Sequence, residues 1–349
     1  MSDILNIIAM TDRDTIPIGC RRLGLIGNPI GHSRSPVLFR EYFADRPDIL
    51  QRWSYDLIQR DNFSDAYSVF LRGYVAVNVT APFKEDAFRA ADSYDYSALR
   101  CMAANLLVKI PVDGICSVAR QAGDGTVPSA GRGQRVEDTI PFSDSAFQIM
   151  AYNTDFEAVQ EIIRQEYSDS EGYKALVIGC GGAGKAAAAA ALETGMQTTV
   201  CNRTIGRSLE YVEHLRTYDP HSCSAVPQIV GLDSVEINSE DRTVPGRFPL
   251  PAVMRPAADE LLAAIRDSDV IIYSLPGPVT TIRHLLTVSP DILSGKTVIE
   301  ANYKDPFLNT VPCRRYISGL TWLRLQAVAT YRIVLGPSLL SGTHGCSSI

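Results

Sequence analysis

At 349 residues the chain has room for two domains, taking roughly 150 residues for each. Apolar residues make up 46% and charged residues 21%, the balance of an ordinary folded protein with a real core. A net charge of -6 gives no general affinity for nucleic acid or an anionic membrane, so any hold on phosphate must come from a local site.

The N-terminal MSDILNIIAMTDRDTIP is broken by charges and lacks the apolar stretch of a signal peptide. No apolar run approaches the roughly 20 residues that a membrane helix needs. The first third then alternates. RLGLIG reads as a buried strand, SPVLFREYFA as a helix with proline at its start, WSYDLI as a strand and NFSDAYSVFL as a helix. YVAVNVT is the next strand, and PFKEDAFRAAD is a helix beginning at Pro82. This order implies a mainly parallel sheet with helices on its faces. A strand-like ANLLVKI follows. From about 111 to 145 the texture changes to Gly, Asp, Ser, Arg and Pro, including RQAGDGTVPSAGRGQR; this reads as a long, solvated surface insertion.

AYNTDFEAVQEIIRQEY restores a helix, and the alternation resumes. KALVIG is a strand, AGKAAAAAALETG a helix ending at Gly195, and QTTVCN a strand; DVIIYSLP and KTVIEANY read as further buried strands. Residues 222 to 256 hold several prolines and no clear period. The chain closes on the helical LTWLRLQAVATYRIVLG. The alanine run reads simply as good helix former. The eight cysteines show neither a C-x-x-C pair nor the Cys/His spacing of a zinc site; they read as reduced thiols of a cytoplasmic protein with no metal.

The strongest local motif is ALVIGCGGAGKA. Gly179, Gly181 and Gly184 match G-x-G-x-x-G, directly after a strand and opening a helix, which is the context the pattern needs. Such glycines permit a tight turn and let backbone N–H groups approach a pyrophosphate at the helix N-terminus. The next strand ends in CNRTIGRS, with no carboxylate to hold a ribose 2′-hydroxyl or repel a 2′-phosphate. Arg203 and Arg207 can pair with that phosphate, and Asn202 and Thr204 can donate hydrogen bonds to it. The expected cofactor is NADP(H). The alternative for the two arginines is ordinary surface charge.

Three other segments place polar residues before a helix: GHSRSP, NVTAPFK and YNTDF. Capping alone accounts for Ser, Thr and Asp there. It does not account for two serines on one turn, for the added Lys84, or for the added Asp155. A cation in a first helical turn is mildly unfavourable, so Lys84 needs a reason other than helix stability.

In these segments the chain resembles the shikimate dehydrogenase family. GNPIGHSRSP, VNVTAPFK, YNTD, GCGGAGKA, NRTIGR and the tail LRLQA occur in the family's order, between residue 24 and about residue 331. The resemblance implies an α/β fold: an N-terminal α/β substrate domain with a mainly parallel sheet, plus a Rossmann-like NADP-binding domain. Residues 1–156 and 320–349 would form the first and 157–319 the second. It implies NADPH-dependent reduction of the ketone of 3-dehydroshikimate to shikimate, in the chorismate route to aromatic amino acids. Lys84 and Asp155 would be the catalytic pair. Ser33 and Ser35 would bind the substrate carboxylate; Asn78, Thr80, Asn105 and Gln326 would bind ring hydroxyls, with Tyr303 beside them. Gly182, Ala183 and Gly319 would join Gly179, Gly181, Gly184, Asn202, Arg203, Thr204 and Arg207 around the cofactor.

The chain departs from the family at Leu106, where a threonine is usual after Asn105, at YSLPG (273–277), at Glu300 and in the longer insertion after NLLV. The alternatives are quinate/shikimate or aminoshikimate dehydrogenase, and a sensor that binds dinucleotide or acid without turnover. The expected partner is a small-molecule substrate, with no nucleic acid and no membrane, in a monomer or homodimer.

Overall fold

A computed structural model describes residues 20–111, 147–218, 227–231 and 255–336. The expected insertion, but for Pro111, and most of the irregular stretch at 222–256 lie outside the described residues. Two six-stranded sheets carry the chain.

In the first sheet, β1 (Arg21–Gly27) is buried from Leu23 onward, as a central strand must be, and lies between β2 (Trp53–Gln59) and β3 (Ala76–Val79), parallel to both. β5 (Leu106–Pro111) runs antiparallel to β3, and β6 (Phe147–Tyr152) antiparallel to β5; the short β4 (Ser93–Tyr94) closes the edge beside β6. The order is β2-β1-β3-β5-β6-β4 with only β5 reversed, so the sheet is mainly parallel. Its helices are α1 (Ser35–Tyr42), α2 (Pro47–Arg52), α3 (Phe63–Gly73), α4 (Lys84–Ala90) and α5 (Tyr96–Cys101). The sequence reading lacked α2, β4, α5 and β6, and it began α4 at Pro82. The Ala81–Pro82 bond is cis and the helix starts two residues later, at Lys84.

The second sheet is wholly parallel: β7 (Lys174–Ile178), β8 (Gln197–Asn202), β9 (Gln228–Gly231), β10 (Val270–Tyr273), β11 (Thr297–Glu300) and β12 (Arg315–Ile317). Its order, β12-β11-β10-β7-β8-β9, is the doubly wound one, with the direction of winding reversing between β7 and β10. The helices are α7 (Gly182–Glu193), α8 (Ile205–Tyr218), α9 (Arg255–Asp267) and α10 (Thr280–Val288). β9 falls inside the stretch that read as irregular.

Two helices join the sheets, α6 (Thr154–Glu166) and α11 (Gly319–Leu335). Phe156, Val159 and Ile162 of α6 share one apolar cluster with Trp322 of α11, the alanines of α7 and Val177 of β7. Further along α11, Tyr331 and Leu335 pack with Phe39, Phe43 and Trp53 on the first sheet. The alanine run is therefore more than helix former: Ala186 to Ala191 are all fully buried. Among the described residues no helix is long and apolar enough to cross a membrane.

Candidate active site

The register of the first sheet places Asn78 of β3 beside Leu106 of β5, and Leu106 beside Tyr152 of β6. The turns leaving β3 and β6 and the turn entering β5 therefore crowd one edge. Backbone bonds fix them there: Val79 N–H to the Asn105 carbonyl (2.8 Å), Asn105 N–H to the Tyr152 carbonyl (3.1 Å) and Ala104 N–H to the Lys84 carbonyl (2.9 Å). The N-termini of α4 and α6 consequently meet.

Lys84 opens α4 and Asp155 is the second residue of α6. Lys84 Nζ lies 2.6 Å from Asp155 Oδ2, with the side chains 15% and 4% exposed. The carboxylate sits favourably at the positive end of α6. The ammonium gains nothing from its own helix, and the carboxylate is what holds it. The other carboxylate oxygen, Oδ1, accepts a hydrogen bond from Trp322 Nε1 at 2.9 Å. Cys101 lies in the same core, and burial followed by the Asp155 charge pushes its thiol well above the ordinary value, so it stays protonated and is no nucleophile.

Capping explains only one of the three polar helix starts. Asn153 caps α6, its Oδ1 accepting Phe156 N–H at 3.3 Å, while α1 and α4 have no side-chain cap. In GHSRSP, Ser33 Oγ donates to Ser35 Oγ at 3.2 Å, so the two hydroxyls form a pair. Tyr55 connects this pair to the sheet: its hydroxyl donates to Asn78 Oδ1 at 2.8 Å. Burial raises the Tyr55 phenol, with a Ser35 hydrogen bond opposing, so it remains a donor at neutral pH. Asn78 Nδ2 donates to Thr330 Oγ1 (2.9 Å) and to the Asn105 carbonyl (3.2 Å). Asn105 Oδ1 accepts the Thr154 N–H (2.7 Å) and hydroxyl (3.2 Å), and its Nδ2 reaches Gln326 Oε1 at 3.4 Å. Thr80 ends this edge, its N–H on the Ile26 carbonyl at 2.8 Å.

The cofactor segment is built as its glycines imply. Gly179 has φ 109°, a conformation that favours glycine. Gly181 is exposed with open space where a side chain would stand, and a Cβ on Gly184 would strike the Gly179 carbonyl. Gly182 lies against Lys84: a Cβ there would come 2.9 Å from Lys84 Cβ. Ala183 is packed on the central cluster. Asn202 is buried and holds the turn, accepting Cys180 N–H (3.3 Å) and donating to the Thr204 carbonyl (2.9 Å). Arg203 and Thr204 are exposed beside it. Arg207 Nη2 is 3.2 Å from Glu85 Oε2, and Lys185 Nζ is 3.0 Å from Glu85 Oε1. The open glycine turn, the helix end behind it and the two arginines after β8, which itself ends in Asn202 and not in a carboxylate, fit a phosphorylated dinucleotide.

The loops after β10 and β11 close the other side. Tyr273 donates its hydroxyl to the Gly277 carbonyl within YSLPG, and Asn302 Nδ2 donates to the Pro276 carbonyl at 3.0 Å. Glu300 is fully buried and organises the loop that carries Tyr303: it accepts Phe307 N–H (2.6 Å), Leu308 N–H (3.1 Å) and the Tyr316 hydroxyl (2.8 Å). Gly319 opens α11 tight against the Ala301 carbonyl. Leu106 points into the aromatic core with Phe39 and Tyr331, and the hydroxyls next to Asn105 come from Thr154 and Thr330 instead.

Sequence reasoning passed over Tyr55, Thr154, Thr330, Trp322, Glu85 and Lys185. Trp322, Gln326 and Thr330 are spaced by four on α11, so they share one face; that spacing was the available signal.

The doubly wound sheet, its glycine turn and a lysine–aspartate pair in contact with that turn define a dinucleotide-binding α/β protein with an acid–base site between its sheets. Residues 25–107 match the family model described as the shikimate dehydrogenase substrate binding domain. The chain is 26% identical over 229 residues to shikimate dehydrogenase (NADP(+)) of Shewanella woodyi, covering 65% of this chain and 71% of that protein. Its fold is shared by shikimate 5-dehydrogenase of Thermus thermophilus in complex with NADP(H) and shikimate, at TM-score 0.57 and 18% identity, covering 90% and 94% of the two chains. Quinate dehydrogenase of Corynebacterium glutamicum in complex with NAD shares it too, at TM-score 0.60 and 16% identity, covering 91% and 94%. Residues 25–107 thus match the substrate binding domain of shikimate dehydrogenases, and the chain is similar to those enzymes over about two thirds of its length.

Proposed function

We propose that the protein is an NADP-dependent oxidoreductase that interconverts 3-dehydroshikimate and shikimate, in the cytoplasm, on the route to aromatic amino acids. The observation that carries this is the 2.6 Å contact between Lys84 and Asp155 with the glycine turn packed on Lys84. NADPH, when bound, supplies hydride to the ketone carbon. Negative charge then grows on the ketone oxygen, which needs a proton. Lys84 delivers it in reduction and takes it back in oxidation, while Asp155 fixes the ammonium in place.

The paired hydroxyls of Ser33 and Ser35 suit the substrate carboxylate at the start of α1. Asn105, Gln326, Thr80 and Tyr303 are assigned to the ring hydroxyls. Asn78 holds Tyr55 and Thr330 behind them. A site that pairs every hydroxyl rejects an analogue lacking one, because its own buried groups are left unpaired. Arg203 and Arg207 are assigned to the 2′-phosphate. We place residues 1–156 and 320–349 in the substrate unit and 157–319 in the cofactor unit; the strands of the two sheets divide in this way, between Tyr152 and Lys174.

The test is NADP+ reduction on adding shikimate, with kcat/KM compared against quinate and against NAD+. Formation of NADPH with shikimate preferred supports the reading. Preference for quinate moves the assignment to the ring substituent. No turnover of either acid, with dinucleotide still bound, makes the protein a sensor and overturns it.

A further inference from the structure

We infer that Trp322 is a positioning residue for the acid–base pair, acting through Asp155; this rests on the function proposed above. Asp155 has two oxygens and two partners. Oδ2 faces Lys84 Nζ at 2.6 Å and Oδ1 accepts the Trp322 indole N–H at 2.9 Å. Both side chains are buried, Trp322 at 3% exposure and Asp155 at 4%. An indole N–H only donates. It relays no proton, and its one contribution is to fix the plane of the carboxylate. With Oδ1 held, Oδ2 is aimed at the ammonium.

Trp322 is itself immobilised. Its ring shares the apolar cluster of Phe156, Val159 and Ile162 on the same helix that carries Asp155. The start of α11 is fixed by Ser318, whose hydroxyl accepts Thr321 N–H at 3.4 Å, and by Gly319 pressed on the Ala301 carbonyl. One and two turns along that face, Gln326 reaches Asn105 and Thr330 reaches Asn78. A single helix face thus sets both the substrate-side amides and the catalytic carboxylate, and Trp322 is the member that acts on the chemistry. Without its N–H, a buried carboxylate oxygen loses its donor. The group then turns to share both oxygens with Lys84, and the ammonium leaves the position from which it meets the ketone oxygen.

Trp322→Phe keeps an aromatic ring and removes the donor. A charge-assisted hydrogen bond lost at this point lowers kcat for shikimate oxidation by about 10- to 100-fold. KM for shikimate and NADP+ stays within about threefold, because no residue assigned to either ligand is altered. Trp322→His, which can offer a ring N–H, recovers part of the lost kcat. Unchanged kcat in Trp322→Phe, or a loss carried by KM, overturns the inference. A second readout does not depend on turnover. The chain has two tryptophans, Trp53 and Trp322, hence two indole N–H signals in a ¹⁵N spectrum. Asp155→Asn moves the Trp322 signal and leaves that of Trp53; an unmoved Trp322 signal overturns the contact whatever the activity. A protein that turns over neither shikimate nor quinate but shows the shift defeats the functional reading and leaves the contact standing.

Discussion

Lys84 is placed where helix electrostatics alone would not put it, and its position is set by what surrounds it rather than by α4. Its Cβ touches Gly182 and its ammonium touches Asp155, so the same side chain faces both the cofactor turn and the acid. Lys84→Met keeps the aliphatic stem and removes the proton donor. Turnover is expected to fall by about 10²- to 10⁴-fold, with NADP+ affinity, measured by fluorescence titration, changed by no more than a few-fold. Wild-type turnover in this variant would remove Lys84 from the chemistry. Such positions stood out in the sequence because each is marked locally, a lysine next to a proline turn, an aspartate after a capping asparagine and arginines after a strand, while the pairing of Lys84 with Asp155 came from the family resemblance. Trp322 and Tyr55 did not stand out. Each matters through one hydrogen bond to a residue distant in the chain, from Trp322 to Asp155 and from Tyr55 to Asn78; the spacing of Trp322 by four from Gln326 marks its face but not that partner, and nothing near Tyr55 marks it.

At the level of elements, apolar patterns located the central strands of both sheets and the helices beside the motifs, but not α2, α5, α9, α10, β4, β6, β9 or β12; β4, β9 and β12 are short edge strands. β6 pairs antiparallel with β5 across the whole 112–146 segment, so its partner is remote and its six residues alternate only weakly. β9 is four residues at a sheet edge. The alanine run was legible as helix, but its reason was not. It lets α7 lie close beneath α6, where every residue from Ala186 to Ala191 is fully buried. Ala188→Leu has no room and is expected to cost about 1–3 kcal/mol of unfolding free energy by denaturant titration; a variant as stable as wild type would show slack in this contact. On α6, burial and then the Asp95 charge push the Glu157 carboxyl above its ordinary 4.5, against the pull of Arg332. The folded chain thus holds this proton to higher pH than the unfolded chain does. Its contribution to stability is full below 4.5 and is lost as pH rises through the raised value. Glu157→Gln should therefore raise the melting temperature by about 1–2 °C at pH 7 and by less at pH 4.5. An equal change at both values would show that the carboxyl is not the cause.

Across the whole molecule, the substrate-side and cofactor-side elements meet at charged points, Arg100 with Glu193 and, next to Lys84, Glu85 with Lys185 and Arg207. The two oxygens of Glu85 hold Lys185, which is nearly buried beneath the glycine turn, and Arg207, which is half exposed on α8. Arg207 is one of the two arginines assigned to the 2′-phosphate, so Glu85 and that phosphate compete for the same guanidinium, and the carboxylate also repels the phosphate. Glu85→Gln removes the competition. Because Arg207 is solvent-exposed, its pair with Glu85 is weak, and the expected gain in preference for NADP+ over NAD+ is only about two- to fivefold. The same change leaves Lys185 without an anion in a buried position, so the variant should also melt earlier. Reading the preference as a ratio of dissociation constants measured on one variant cancels that loss of stability, since both cofactors meet the same weakened fold. A ratio unchanged from wild type would mean that Arg207 does not serve the 2′-phosphate, and the selectivity would then rest on Arg203 alone.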